Sequence, residues 1–265
     1  MRRALLLLGI IGMGVSVPAQ SAEARSIHVR SAGEGDRCWI LLHPFGASGR
    51  FWERRATLLA SAHNVRIYSP DLPSHGLSRL VERFDYDRAT NAVASATRRD
   101  CPRPALVVGA SSGGIVAIKL AARLRAPVAA IGVGWSFSET NVEAMRSNAA
   151  QPPQGLSGWL DSFAEQGEGQ VARIVRHFGD LAEIGTGPLF TRAELRALDR
   201  RLLLLWGEAD DFFRRESIDR LAAAVSGARL ETFAGAGHLD PLAPAHAERT
   251  WRLVGAFGST EVVAD

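Results

Sequence analysis

The chain has 265 residues, 46% of them apolar and 22% charged, which suits one folded domain with a modest insertion and excludes disordered, collagenous and coiled-coil classes. Its net charge of +3 is small, and its basic residues are almost all arginine, Lys119 being the single lysine. Pairs such as Arg54–Arg55 and Arg200–Arg201 are isolated along the chain and read as solvated surface, so no gathered basic face points to a nucleic-acid partner.

In chain order, Met1-Arg2-Arg3 is a short basic segment, and Ala4 to Val17 is an apolar stretch too short to span a bilayer as a helix. Small residues follow as far as Ala24, completing the layout of a secretory signal peptide. The triplet Ala22-Glu23-Ala24 predicts cleavage after Ala24, with Ser21 and Ala22 as alternatives. Residues 1–24 are therefore expected to direct export to the periplasm or beyond, leaving no stable membrane span; the rival reading is an uncleaved anchor. In such a compartment Cys38 and Cys101 can pair as a disulfide, since each stands just before an apolar run that reads as a strand. The alternative is two separate buried thiols.

Beyond the signal, strand-like and helical patterns alternate. Strands are predicted over Ile27–Arg30, Cys38–Leu42, Arg66–Ser69, Ala105–Val108, Val128–Val133, Arg201–Trp206 and Arg229–Phe233. Helices are predicted over Phe51–Ala62, Arg88–Arg99, Ser112–Leu124, Ser217–Val225 and Pro244–Phe257. Continuous apolar runs such as Cys38–Leu42 mark strands covered on both faces, so the fold class is α/β with a mostly parallel sheet between helices. Residues 136–198 break the rhythm. They lack a strong strand, carry Gly and Pro punctuation, and show helical patterns over Trp159–Gln166 and Gln170–Phe178, so they read as a small helical cap. The expected division is a signal at 1–24, core at 25–135, cap at 136–198 and core again at 199–265.

Gly109-Ala110-Ser111-Ser112-Gly113 lies between the strand ALVV and a helical pattern. A nucleophile thrust out at a tight strand-to-helix turn holds strained backbone angles and needs small neighbours two positions away on each side. Both are Gly here, which makes Ser111 the candidate nucleophile. A serine hydroxyl needs a base. His238 follows the last predicted strand in a loop of small residues, at the sheet edge that Ser111 should occupy. His246 falls within the last helix and His177 within the cap, where surface or structural roles fit better. The base needs an anion to orient it. Asp210, at the end of RLLLLW, is the choice; Asp211 is its close rival, with Glu208 and Asp240 behind. The oxyanion donors should be the backbone N–H groups of Ser112 and, in the loop after CWILL, of Phe45, because Pro44 has none. His43 fits a bracing role in that loop.

These elements resemble the α/β-hydrolase superfamily. The resemblance is carried by LLHPFGAS at 41–48, DLPSHGLS at 71–78, VVGASSGG at 107–114, LLWGEADD at 204–211 and GAGHLDPL at 235–242. It implies an eight-stranded sheet, or one short of its first strand, and a lid between the sixth and seventh strands of that scheme. By residue it implies Ser111 as nucleophile, Asp210 as acid, His238 as base, and Phe45 and Ser112 as oxyanion donors. His75 and Gly76 fall in a turn that is structural in the family. This chain departs in having His-Pro before Phe45, and Asp-Phe-Phe-Arg at 211–214 where the family carries a Pro.

A serine nucleophile disfavours epoxide and haloalkane chemistry, which use Asp in this fold. The expected reaction is hydrolysis of small or medium, partly apolar carboxylic esters through an acyl-enzyme, with no metal or organic cofactor. Lactonase, carbon–carbon hydrolase and perhydrolase chemistry are the alternatives on the same residues, and a binding protein that retains them is a third reading. Trp135, Phe137, Trp159, Phe212 and Leu239 are candidates to line the pocket, with Phe45 and Phe163 beside them.

Overall fold

The computed structural model describes residues 26–260, so the expected signal at 1–24 lies outside the described residues. Among the described residues seven strands form one sheet: β1 (Val29–Ala32), β2 (Arg37–Leu42), β3 (Val65–Pro70), β4 (Leu106–Ala110), β5 (Val128–Ile131), β6 (Leu202–Gly207) and β7 (Arg229–Phe233). Their spatial order is β1-β3-β2-β4-β5-β6-β7. β1 pairs antiparallel with β3 at one edge, and every other pairing is parallel. The first predicted strand begins two residues late, at Val29 rather than Ile27.

The apolar runs alternate between two cores, as a pleated strand with both faces covered must. Ile40, Leu42, Val107, Val128, Ala130, Leu202 and Leu204 face one core. Trp39, Leu41, Leu106, Val108, Ala129, Leu203 and Leu205 face the other. Helices α1 (Glu53–His63) and α9 (Pro244–Thr260) supply residues to the second core, while α2 (Tyr86–Thr97), α3 (Ser112–Leu124) and α8 (Arg215–Ala223) supply the first. Helix α3 is buried from Ser112 through Ala122, with no polar face to solvent along that stretch.

β2 and β4 are parallel neighbours, with Trp39 opposite Leu106. That register brings the start of β2 and the residues ahead of β4 to one end of the sheet, and Cys38 and Cys101 are joined there by a disulfide, Cα to Cα 5.8 Å.

Between β5 and β6 the cap holds four helices: α4 (Glu139–Ala150), α5 (Gln154–Phe163), α6 (Glu168–Glu183) and α7 (Arg192–Leu198). The sequence reading has only two here. α7 carried a legible start, because Thr191 and Glu194 make a reciprocal capping box. α4 has the same arrangement with Ser138 and Asn141, but few apolar positions to show its period; Val142 and Met145 are its buried apolar residues. α6 is clamped to the core loop that follows β3. Gln170 Nε2 donates to the carbonyls of Ser74 (3.1 Å) and Gly76 (2.6 Å), and Gln166 Nε2 to those of Gly76 and Ser78. His177, fully buried, joins Asp180 through Nδ1 and Ser74 Oγ through Nε2.

Candidate active site

Ser111 follows the last residue of β4 and precedes α3 with φ 51° and ψ −123°, a conformation that costs a non-glycine residue strain. The turn is tight enough to explain its glycines. A Cβ on Gly109 would lie 2.3 Å from the Gly113 carbonyl oxygen, and one on Gly113 2.3 Å from that of His43. Backbone bonds hold the turn: Ser111 N–H donates to Ile131 C=O, and the Gly114 and Ile115 N–H groups donate to Ser111 C=O.

His238 follows β7 and places Nε2 3.0 Å from Ser111 Oγ. Its Nδ1 lies 2.9 Å from Asp210 Oδ2. An ionised carboxylate only accepts, so Nδ1 carries the proton and Nε2 offers its lone pair to the serine hydroxyl. The other carboxylate oxygen, Oδ1, accepts from the N–H groups of Phe212 (2.8 Å) and Phe213 (2.9 Å). That pair of hydrogen bonds fixes which way Asp210 points, and a proline at either position would remove a donor. The Asp210 side chain is fully buried, while Asp211 and Glu208 are exposed and Asp240 bonds Gly237 N–H instead. The Phe212 ring lies 5.1 Å from the imidazole, centroid to centroid.

The backbone N–H groups of Phe45 and Ser112 donate to no protein acceptor among the described residues. The turn carrying Phe45 is braced from the core by His43. Its Nε2 accepts from Leu72 N–H at 2.9 Å, so its Nδ1–H donates to Pro44 C=O at 2.9 Å. Burial pushes the His43 imidazole down to about 4, the Arg30 charge adding to the effect and the Pro44 carbonyl opposing it. His75 is likewise pushed down, to about 3, chiefly by burial and then by the nearby His43. A buried phenol, Tyr86, meets Ser112 Oγ at 2.9 Å. Sequence reasoning passed over Tyr86, which has no motif around it.

Ser111 and His238 open into a cavity of about 200 Å³ between core and cap. Phe137, Trp159, Phe212 and Leu239 line it, as does Phe45. Trp135 does not, which corrects the sequence reading. It lies on a separate groove, where the Arg220 guanidinium stacks 4.6 Å from its ring. Phe137, two residues further on, lines the cavity and also borders a groove that it shares with Trp135. Phe163 is also absent from the cavity and packs behind Trp159, 4.8 Å between centroids. The cap contributes residues that no pattern had singled out: Met145 and Asn148 from α4, Leu156 from α5, Phe178 and Leu181 from α6. None of the lining side chains is Asp, Glu, Lys or Arg. Among the described residues no cluster of three His, Cys, Asp or Glu side chains is placed to hold a metal ion, and no helix is long and apolar enough to cross a membrane.

Fold and site together define a hydrolase class built on a doubly covered parallel sheet. The profile of the alpha/beta hydrolase family matches residues 39–252, and the chain belongs to that family. Among curated relatives it is similar to pimeloyl-[acyl-carrier protein] methyl ester esterases. One from Sodalis glossinidius is 26% identical over 241 residues, covering 80% of this chain and 91% of the relative. One from Yersinia pseudotuberculosis is 28% identical over 229 residues, covering 83% and 81%. Among solved structures, a putative lipase from Acinetobacter baumannii superposes with a TM-score of 0.70 at 18% identity, covering 90% of each chain. A thermophilic esterase from Thermogutta terrifontis does so with a TM-score of 0.64 at 15% identity, covering 86% of this chain and 91% of the other.

Proposed function

We propose that this chain hydrolyses small or medium, partly apolar carboxylic esters through an acyl-enzyme on Ser111. The observation that carries the reading is the continuous line of contacts from Ser111 Oγ to His238 Nε2 and from His238 Nδ1 to Asp210. In the forward step Ser111 Oγ bonds to the ester carbonyl carbon and passes its proton to His238 Nε2. The carbonyl oxygen, now an oxyanion, accepts from the Phe45 and Ser112 N–H groups. His238 returns the proton to the alcohol as the carbon–oxygen bond breaks. Water then attacks the acyl-enzyme by the same route, releasing the acid and restoring Ser111. Asp210, held by two backbone donors, keeps the imidazole in the required tautomer and supports its transient charge.

The cavity favours an uncharged group on at least one side of the ester, because a charge placed among these apolar walls would lose its hydration without a partner. About 200 Å³ is somewhat more than the ~150 Å³ cavity that takes up benzene in an engineered protein, which sets the scale at a short acyl or alkyl chain or one ring. The relatives' names support ester chemistry.

A panel of p-nitrophenyl esters on the wild type and Ser111→Ala tests the reaction, and fluorophosphonate labelling with adduct mapping tests the nucleophile. Esterase activity surviving in Ser111→Ala, or an adduct on another residue, refutes the assignment. We also infer that residues 1–24 direct export. The Cys38–Cys101 disulfide supports this, since such bonds persist in oxidising compartments. Exported material should begin at Arg25; a sequence beginning at Met1 refutes cleavage.

A further inference from the structure

The cap reaches the oxyanion turn itself. Residues 44–47 form a turn closed by Ala47 N–H on Pro44 C=O at 3.1 Å, with Gly46 at φ 78° in its third position. A positive φ there marks the type II form, in which the middle peptide is turned over relative to type I. That peptide carries the Phe45 carbonyl. The carbonyl is held from the cap, because Trp159 Nε1–H on α5 donates to it at 3.2 Å. The packing is close: a Cβ on Gly46 would lie 2.5 Å from Leu160 Cδ2 and 3.0 Å from the Trp159 ring. Trp159 is in turn backed by Phe163 and Phe51. The turn thus has two anchors, His43 on the Pro44 carbonyl from the core and Trp159 on the next carbonyl from the cap.

We propose that Trp159 is a positioning residue of the oxyanion hole. Its indole N–H pins the middle peptide of the 44–47 turn and so sets the direction of the adjoining Phe45 N–H. Seating of α5 and formation of the hole are then one event, and a substrate too bulky for the cavity loses both. The inference rests on the reading of Ser111 as nucleophile and Phe45 as oxyanion donor.

The test replaces Trp159 in the mature protein by 3-benzothienylalanine, which keeps the ring shape and puts sulfur in place of the N–H. Trp159→Phe is the second variant. With p-nitrophenyl butyrate, kcat should fall about tenfold with KM within twofold, a part of the 10²–10³ that a lost oxyanion donor costs because the Phe45 N–H remains but is less fixed. Affinity for an alkyl trifluoromethyl ketone, a mimic of the tetrahedral oxyanion, should fall by the same factor, and binding of the matching alcohol should not change. A benzothienyl variant with kcat within twofold of wild type overturns the proposal, as does a rise in KM at constant kcat, which would make Trp159 a cavity wall alone. A wild type that cleaves the ester and labels at Ser111, beside a variant equal to it, removes this inference and leaves the hydrolase reading intact. A wild type that does neither removes the hydrolase reading, and this inference with it.

Discussion

Acid should destabilise this protein through two histidines that never touch substrate. His43 and His75 are fully buried, with ring centroids 5.3 Å apart, and hold pKa values of about 4 and about 3 against 6.5 for an unperturbed imidazole. The unfolded chain therefore binds more protons than the folded one between about pH 3 and 7, the excess approaching two near pH 5. Both folded values are depressed, so their contribution is fully present above pH 6.5 and is lost as the pH falls, down to about 4 for His43 and about 3 for His75. At 1.36 kcal/mol per pH unit for each proton, lowering the pH from 7 to 5 should cost about 4 kcal/mol of stability, roughly 2 from each ring. His177 is shifted in the same direction, mainly by burial, and adds to the slope. Urea melts at pH 7, 6 and 5 measure it. His75→Phe, set among Phe45 and Phe84, should lower the pH 7 to 5 loss by about 2 kcal/mol relative to wild type. A wild type equally stable at both pH values, or a variant with the wild-type slope, would refute the reasoning.

Asp210→Asn should cut kcat by roughly 10⁴ while leaving the fold in place, whereas Asp211→Asn should stay within about twofold, as measured with one p-nitrophenyl ester. Replacing Cys38 and Cys101 together by serine should lower stability by about 2–4 kcal/mol, read by urea melts with and without reductant; the disulfide closes a separation of 63 residues. Gly113→Ala should destabilise by at least ~1–3 kcal/mol, because the new Cβ would meet the backbone oxygens of His43 and Leu42 at 2.3 and 2.4 Å; thermal melts decide. Met145→Trp, which fills the cavity from α4, should abolish turnover of medium-chain p-nitrophenyl esters while sparing the acetate, as a chain-length series would show.

The sheet, the position of the cap and the turn around Ser111 were legible in the sequence because each is written in local spacing. Continuous apolar runs imply two covered faces, and glycines two residues either side of a serine, between strand and helix, admit few geometries. The order of Asp210 and His238 after that serine was legible for the same reason, since each follows a strand at its C-terminal end. Choices between neighbours were not legible. Asp210 and Asp211 have the same chemistry, and what separates them is the pair of Phe212 and Phe213 N–H groups that only the folded loop aims at one carboxylate. Trp135 and Trp159 are both aromatic residues near the mouth of the sheet, yet one stacks on Arg220 in a separate groove and the other closes on the Phe45 carbonyl. Contacts across 114 residues of chain, like that last one, depend on how α5 seats against the core, and periodicity along a single segment carries no record of it.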